Sequence, residues 1–250
     1  MHHMAAFYSA APTAAALTPL AAVREEMYFT NGNDFRVPKG LANIIGEAAL
    51  STNAMTQAQI QSPSLRSVAN LDIEPGMSAA MIFGDPFESL MHPEAPVPLM
   101  EGESLNLAVN AAAAAAPCAG LIVLADGMPK PVTGPQVQIR ATATITGVAG
   151  AWTNGALALG QTLPVGQYAV VGMRARGASL IAARLVFPEQ SARPGVFACN
   201  AIGNADYYWN RSGRLGQWGV FDSTVPPSLD VFDGTGGALP YVVVLDLIRI

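Results

Sequence analysis

Residues Gln136–Thr146 alternate between apolar and polar side chains without a break. A two-residue period places the apolar side chains on one face of a β-strand and the polar ones on the other. The apolar face consists of Val137, Ile139, Ala141, Ala143 and Ile145. The same period recurs in Leu65–Ile73 and Leu105–Val109. The sequence therefore predicts a chain built mainly of antiparallel strands, each with one face toward a core.

The first half of the chain is predicted to contain seven strands and one helix. An Asn-Gly turn signal between the first two strands predicts a hairpin. Helical spacing of apolar residues over 41–49 predicts one short helix of about three turns, and the polar stretch Ser51–Ser62 that follows is predicted to be a loop. Ala111–Ala116 is predicted as a strand end plus loop, with helix as the alternative. The predicted strands are Met27–Thr30, Phe35–Val37, Leu65–Ile73, Ser78–Phe83, Val97–Met100, Ser104–Asn110 and Leu121–Ala125.

The second half begins after a joint rich in proline at Pro129–Gly134 and is predicted to contain eight strands. Eight strands with short connections need on the order of 100 residues, so each half is the right size for one eight-stranded barrel or sandwich. The predicted strands are Gln136–Thr146, Gly155–Leu159, Gln167–Ala175, Ser179–Phe187, Gly195–Ala201, Gln217–Phe221, Leu229–Phe232 and Tyr241–Ile250. The predicted division is an N-terminal arm over 1–23, a first β-domain over 24–130 and a second over 131–250.

The composition is poor in charge, which bears on what covers the surface. Charged residues make up 12% of the chain, against a usual share of about 25%. Because buried interface centres are depleted in charge, we expect other subunits to cover much of the surface. Codon bias is the alternative, since two lysines stand against eleven arginines. The net charge of −5 and the lack of basic runs give no footprint for direct nucleic-acid binding.

The N-terminal segment Met1–Val23 contains no charged residue. Two prolines interrupt it, and no basic region precedes its apolar stretch apart from His2 and His3, so neither a signal peptide nor a membrane span is expected. We predict an extended or partly helical arm that lies on a neighbouring subunit or touches a membrane surface, with disorder as the alternative. Cys118 and Cys199 lie in small apolar surroundings and are predicted to be core thiols rather than a disulfide.

The sequence contains no motif that predicts catalysis. His92 is the only histidine outside the N-terminus, no nucleophile elbow accompanies it, and it is interpreted as a turn residue. Two acids facing each other across a cleft could hydrolyse glycosides, but alternating acids on a strand more commonly form its solvated side. The acid pairs considered are Asp72 with Glu74, Glu101 with Glu103, and, for calcium, Asp230 with Asp233. We therefore predict no catalytic residue, no metal site, no phosphate-binding loop and no cofactor.

One aromatic and basic cluster stands out near the end of the chain. It comprises Tyr207, Tyr208, Trp209, Arg211, Arg214 and Trp218. Tyrosine, tryptophan and arginine are enriched in protein interfaces, and aromatic rings can also stack on sugars. We predict a subunit contact here, with ordinary packing and glycan binding as the alternatives.

Two consecutive eight-stranded units, a short helix, an N-terminal arm and low charge together resemble the double jelly-roll major capsid proteins of tailless icosahedral viruses, especially membrane-containing bacteriophages. The segment Leu163–Pro188 followed by Arg193-Pro194-Gly195 is also similar to phage capsid sequences. The resemblance implies two jelly rolls side by side, three copies in a pseudo-hexagonal capsomer, and an N-terminal arm that points inward. At 250 residues the chain is short for this family.

The expected function is that of a structural protein of the virion, not an enzyme, that self-assembles as trimers into an icosahedral shell. Its expected partners are copies of itself, other virion proteins and an internal membrane surface reached by the arm. One alternative is a β-sandwich protein that binds or cleaves carbohydrate. Another is a minor capsid, spike or cement protein.

Overall fold

The computed structural model describes residues 1–24, 30–31, 34–69, 73–78, 90–198 and 213–250. These residues are mostly in β-strands, so the predicted all-β class is confirmed. The chain forms two compact units. The first unit takes its described residues from 5–128, and the second consists of Met1–Met4 with the described part of Pro129–Ile250. The chain thus passes from one unit to the other between Met128 and Pro129.

The first unit is built around two sheets whose strand pairs are antiparallel apart from the parallel pair of β6 and β8. One has the order β10-β6-β12-β1-β3, with β8 and β9 also pairing with β6, and the other has the order β2-β11-β5-β4, with β7 also on β11. The elements are β1 (His2–Ser9), β2 (Thr18–Pro19), β3 (Ala21–Ala22), β4 (Thr30–Asn31), β5 (Asp34–Arg36), β6 (Asn43–Ser51), β7 (Met55–Gln61), α1 (Pro63–Ala69), β8 (Gly76–Ser78), β9 (Leu90–Met91), β10 (Val97–Pro98), β11 (Ser104–Ala111) and β12 (Cys118–Ala125).

The two sheets of the first unit face each other closely. Gly120 on β12 lies against Leu107 on β11, and a Cβ added to this glycine would be 2.5 Å from the leucine Cδ1. The first and last long strands, β1 and β12, are neighbours, while β6 and β7 follow each other in the chain but lie in different sheets. This strand order is that of a jelly roll, in which the chain crosses repeatedly between two sheets.

The second unit shows the same plan more completely. Its sheets have the orders β15-β13-β21-β16-β19 and β14-β20-β17-β18. Apart from the short β15, eight strands divide four and four, and the first and last of them, β13 and β21, are neighbours. The elements are β13 (Gln136–Gly147), β14 (Trp152–Gly155), β15 (Ala158–Leu159), β16 (Gln167–Arg176), β17 (Leu180–Val186), β18 (Gly195–Phe197), β19 (Gly219–Asp222), β20 (Ser228–Asp233) and β21 (Gly237–Arg249). The second unit is therefore a jelly roll.

The alternation that predicted β13 is present in the fold. Its apolar residues from Ile139 to Ile145 are buried and the polar residues between them are exposed. Val137, predicted to lie on the same buried face, is 42% exposed, because the first three residues of the strand all lie at the surface. The predicted hairpin near the N-terminus is confirmed by the antiparallel pair β4 and β5, and Ala111 ends β11 before a loop, as predicted.

The helix predicted over 41–49 is wrong, because Asn43–Ser51 forms strand β6. From Ile44 onward every residue of β6 is buried, so the strand has core on both faces. A strand buried on both faces lacks the alternation, and the apolar residues of β6 also satisfy helical spacing. The adjacent loop prediction for Ser51–Ser62 is also wrong over Met55–Gln61, where β7 has polar residues on its wetter face.

The short helix lies elsewhere, at Pro63–Ala69, where a strand was predicted from Leu65. Leu65 and Ala69 are separated by four residues, a spacing that a helix accommodates as well as a strand does. Pro63 occupies the first helical position, where proline is favoured because its fixed φ suits the helix and its missing N–H has no intrahelical partner. Within the described ranges, no helix has the length and apolar character required to span a bilayer.

The N-terminal segment predicted as an arm contributes strands to the fold. His2–Ser9 forms β1, whose first six residues are buried, and β2 and β3 follow within the next fourteen residues. The prediction of an arm lying on a neighbouring subunit is therefore corrected for His2–Ser9, because the apolar residues of β1 are already buried within the chain itself.

Candidate functional site

The most polar part of the interior of the second unit is a fully buried arginine paired with an aspartate. Arg184 on β17 lies directly opposite Asp230 on β20, and its Nε donates a hydrogen bond of 2.9 Å to the aspartate Oδ2. Its Nη1 donates to the carbonyl oxygen of Met4 at 2.9 Å, and its guanidinium lies 3.9 Å from the centre of the Trp152 ring. A buried charge requires such compensation, because desolvation without a partner is very costly.

Asp230 also binds two other side chains. Arg193 Nη1 donates to Oδ2 at 3.1 Å, and Asn154 Nδ2 donates to Oδ1 at 2.8 Å. Arg193 also holds the start of the chain, since its N–H donates to His3 Nδ1 at 3.0 Å and its carbonyl accepts from the Met4 N–H at 3.0 Å. The result is a network that fixes the first residues of the chain onto the sheet formed by β14, β20, β17 and β18.

His2 is buried next to this network and packs on an aromatic ring. Its ring meets Trp218 edge to face, with 4.7 Å between centroids. Complete burial, aided by the nearby N-terminal amine and His3, lowers the pKa of His2 to about 3. The imidazole is therefore neutral at physiological pH and serves as a packing group.

A second buried carboxylate, Asp233, lies at the end of β20. It accepts hydrogen bonds from Ser179 Oγ at 2.7 Å, from Tyr241 OH at 2.7 Å and from the backbone N–H groups of Thr235 and Gly236, both at 2.9 Å. Burial alone would raise the pKa of Asp233, but these hydrogen bonds outweigh burial and lower it. Burial, together with the negative aspartate, raises the pKa of Tyr241. These hydrogen bonds fix the turn after β20, so the groups that donate to Asp233 have a structural role.

The predicted subunit-contact cluster is placed only in part. Tyr207, Tyr208, Trp209 and Arg211 lie outside the described residues. Arg214 is partly buried, and Trp218 is 1% exposed. The Trp218 ring has almost no surface left for a neighbouring molecule, so its burial agrees with the alternative of ordinary packing.

His92 is a turn residue with an acidic partner in the first unit. Its Nε2 lies 2.7 Å from Glu47 Oε2, and its Nδ1 lies 3.1 Å from the Ala95 carbonyl oxygen. The hydrogen bond to the Glu47 carboxylate raises the pKa of His92. This contact joins the turn to the buried carboxylate on β6.

The acid pairs of the sequence do not form a catalytic pair among the described residues. Glu103 accepts hydrogen bonds from the Ser64 N–H at 3.0 Å, from the Ser64 hydroxyl and from the Met100 N–H at 2.9 Å, so it holds the start of α1. Glu101 accepts from the Gly40 N–H at 2.8 Å. Glu74 is exposed, and its partner Asp72 lies outside the described ranges. No group of three or more potential metal ligands was found in the described part of the chain.

Of the two cysteines predicted to be core thiols, Cys118 lies within the described residues. Cys118 is a free, buried thiol, and it donates to Ser51 Oγ at 3.3 Å. Burial raises the pKa of Cys118, as expected for an unreactive core thiol. Cys199 lies outside the described residues.

Each unit has an open cleft among its described residues. The cleft beside α1 has a volume of about 540 Å³ and a polar lining that includes Asp34, Arg66 and Asn106. The cleft of the second unit, about 640 Å³, lies beside Phe187 and Phe221. The lining of the first cleft also includes Ser62 and Ser104, and that of the second includes the acids Glu189 and Asp222.

Comparison with known proteins gives one structural similarity. The sequence matches no protein-family model and no curated protein. Among solved structures, the chain is similar to the major capsid protein P2 of bacteriophage PM2, with 8% sequence identity and a TM-score of 0.25. The similarity covers 100% of this chain and 98% of that one.

The buried charge network was missed by the sequence analysis, although the sequence contains a signal for it. Arg184 interrupts an otherwise apolar run in a predicted strand, and Asp230 does the same in another. A charged residue within a buried strand needs a partner, so two such interruptions of opposite sign predict a pair. Which residues pair depends on strand order, which the sequence does not reveal.

Proposed function

We propose that this protein is a structural subunit of a virus shell that self-assembles through repeated contacts between copies. The observation that carries the proposal is the presence of two consecutive units in one chain, each with the strand order of a jelly roll. Jelly rolls are common in capsid proteins, and also in lectins and cupins. Two such units with no cluster of metal ligands in the described residues fit a shell subunit better than a cupin enzyme.

The sheet edges suit a protein that must crowd together with copies of itself. Exposed edge strands can pair with other chains and cause aggregation, and short edge strands limit that risk. Most described edge strands have only two to four residues: β3, β4, β10, β14, β15, β18 and β19. Contacts between copies would therefore be made by faces and loops rather than by strand addition.

The second unit has an apolar patch at one end that could form such a contact. Val165 is 76% exposed, Val225 55% and Ile250 65%. Hydrogen bonds hold the three segments together, since the Ser223 N–H donates to Gly166 and the Ile250 N–H donates to Gln167. We name Val165, Val225 and Ile250 the valine patch. Exposed apolar side chains grouped in this way mark interaction surfaces.

In this proposal three copies associate into a pseudo-hexagonal capsomer, and the capsomers tile an icosahedral shell in the virion. Head-to-tail contacts that repeat around an axis close into rings, which is the geometry a trimer needs. Other virion proteins and an internal membrane surface are further proposed partners. No turnover and no cofactor are required for this role.

The proposal is tested by the mass and shape of the purified protein. Light scattering and electron microscopy should show trimers or shells, and Val165→Asp combined with Val225→Asp should weaken association. Val148→Asp is the matched control, because Val148 is 60% exposed in the same unit but outside the valine patch. A monomer of 25.9 kDa that persists at high concentration would contradict the proposal.

The alternatives predicted from the sequence have their own tests. A carbohydrate-binding or carbohydrate-cleaving protein would bind glycans, and Trp209→Ala would abolish that binding. The described acids give this alternative little support, since Glu101 and Glu103 bind backbone groups of their own unit. A minor capsid, spike or cement protein would differ from a major capsid protein in copy number per particle.

A further inference from the structure

The two parts of the sequence that meet at Met128 and Pro129 carry net charges of opposite sign. Residues 1–128 contain twelve acidic and four basic residues, whereas residues 129–250 contain six acidic and nine basic ones. The formal charges are −8 and +3, which together give the −5 of the whole chain. The modest overall charge therefore conceals a strong polarity between the two halves.

The surface of the second unit is more basic than its formal charge indicates. Asp230, Asp233 and Asp246, half of its acids, are buried. The exposed acids among its described residues include Glu189, while Lys130 and Arg249 are exposed bases. A partner approaching the second unit therefore meets mainly positive charge.

Three of the arginines lie on one face of the sheet that contains β13, β21 and β16. Arg140 and Arg174 both pair with Val244, one from each side, and Arg176 pairs with Val242 two residues away. Arg140 and Arg176 are exposed, while Arg174 and the two valines are partly exposed. Two strand spacings put Arg140 and Arg174 about 10 Å apart. We name these five residues the arginine face.

We propose that the arginine face binds the acidic first unit of a second copy of this chain, and this inference rests on the proposed shell function. Partly exposed valines between arginines have the composition of an interface, where apolar side chains and arginine are enriched. The partner surface is supplied by the same sequence. Glu74, Glu94, Glu101 and Asp126 are exposed in the first unit.

Such a contact is head-to-tail, because it joins the second unit of one copy to the first unit of the next. Contacts of this type generate rings when the rotation closes. Pairing of two first units or of two second units would bring like charges together, which is unfavourable. The charge polarity would thus select rings in which first and second units alternate, and that is the order a pseudo-hexagonal trimer requires.

The proposal is tested by sedimentation velocity of the full chain. Association of the wild-type protein should weaken as the salt concentration rises from about 50 mM to about 500 mM, because salt screens exposed charges. Arg140→Glu and Arg176→Glu should each raise the dissociation constant of self-association by roughly tenfold at low salt. Lys130→Glu makes the same change in charge at an exposed position beside Gly216 and should have a much smaller effect. Arg140→Gln and Arg176→Gln provide milder variants, and thermal melting checks that all of them fold.

Each other outcome overturns the proposal in a distinguishable way. If the wild-type protein assembles but Lys130→Glu weakens it as much as Arg140→Glu does, net charge matters and the arginine face does not. If the arginine variants melt earlier while association is unchanged, the face acts within one molecule. If they lose binding to anionic lipid vesicles or single-stranded DNA but still assemble, the partner is a phosphate group. If the wild-type protein stays monomeric, the shell function fails as well.

Discussion

Removing the carboxylate of Asp230 should strongly destabilise the second unit. In Asp230→Asn the fully buried guanidinium of Arg184 keeps its bond to the Met4 carbonyl and its contact with Trp152, but loses the negative charge at 2.9 Å. Breaking a buried ion pair by neutralising one partner costs about 3–5 kcal/mol. That is a large part of the 5–15 kcal/mol by which a typical domain is stable.

The opposite substitution, Arg184→Met, should cost less, about 1–3 kcal/mol. Asp230 would keep Arg193 at 3.1 Å and Asn154 at 2.8 Å, so its charge would remain compensated. Methionine would fill much of the space left by the arginine stem. The double variant should be more stable than the sum of the two single effects predicts, because the pair interaction is removed only once.

Urea denaturation followed by tryptophan fluorescence is a suitable assay, because all three tryptophans lie in residues 129–250 and report on the second unit. Glu189→Gln is the matched control, since it neutralises an exposed acid in the same unit and should change stability by less than about 0.5 kcal/mol. The reasoning is refuted if Asp230→Asn costs no more than Glu189→Gln, or if Arg184→Met costs more than Asp230→Asn.

Three further predictions concern single contacts. The hydrogen bond with Glu47 raises the pKa of His92. The stabilising effect of this bond should therefore be complete below pH 6.5 and be lost as the pH rises through the raised pKa. His92→Gln should remove this pH dependence in urea titrations of the first unit. Tyr241→Phe should destabilise the second unit by about 1.5–3 kcal/mol, measured by tryptophan fluorescence, since it deletes a hydrogen bond to a buried carboxylate; an effect below about 0.5 kcal/mol would contradict this. Gly120→Ala should lower the melting temperature of the first unit through overpacking worth about 1–3 kcal/mol, because the alanine Cβ would lie 2.5 Å from the Leu107 Cδ1. An unchanged melting temperature would show that the facing sheets can separate.

The sequence predicts the second unit better than the first for a physical reason. Strand β13 has one exposed face, so its side chains alternate and the period is visible. Strand β6 is buried on both faces, and the spacing of its apolar residues from Ile44 matches a helix as well as a strand. β7 also alternates, with Ala58 and Ile60 buried between glutamines, but it was missed because the mostly polar composition of the segment was interpreted as a loop.

The candidate sites are less predictable than the strands because they depend on which strands become neighbours. Arg184 and Asp230 are far apart in sequence, and only the order of β17 and β20 brings them together. Trp218 illustrates the same dependence, since its residue type allowed a subunit contact or ordinary packing, and its ring is buried against His2. Residue type predicts which contacts a side chain can make, and the strand order determines which of those contacts form.

The distribution of charge connects the fold to the proposed assembly. In the second unit the buried acids bind groups of the same unit, as Asp230 does with Arg184, so they are unavailable to another molecule. The exposed arginines Arg140 and Arg176 lie instead on an open sheet face. Burial removes three acids but only one arginine, Arg184, from the surface, so the surface is more basic than the sequence count indicates. Because most of the described edge strands are short, we expect a shell subunit of this kind to be recognised through its faces, and the positively charged arginine face is suited to that recognition.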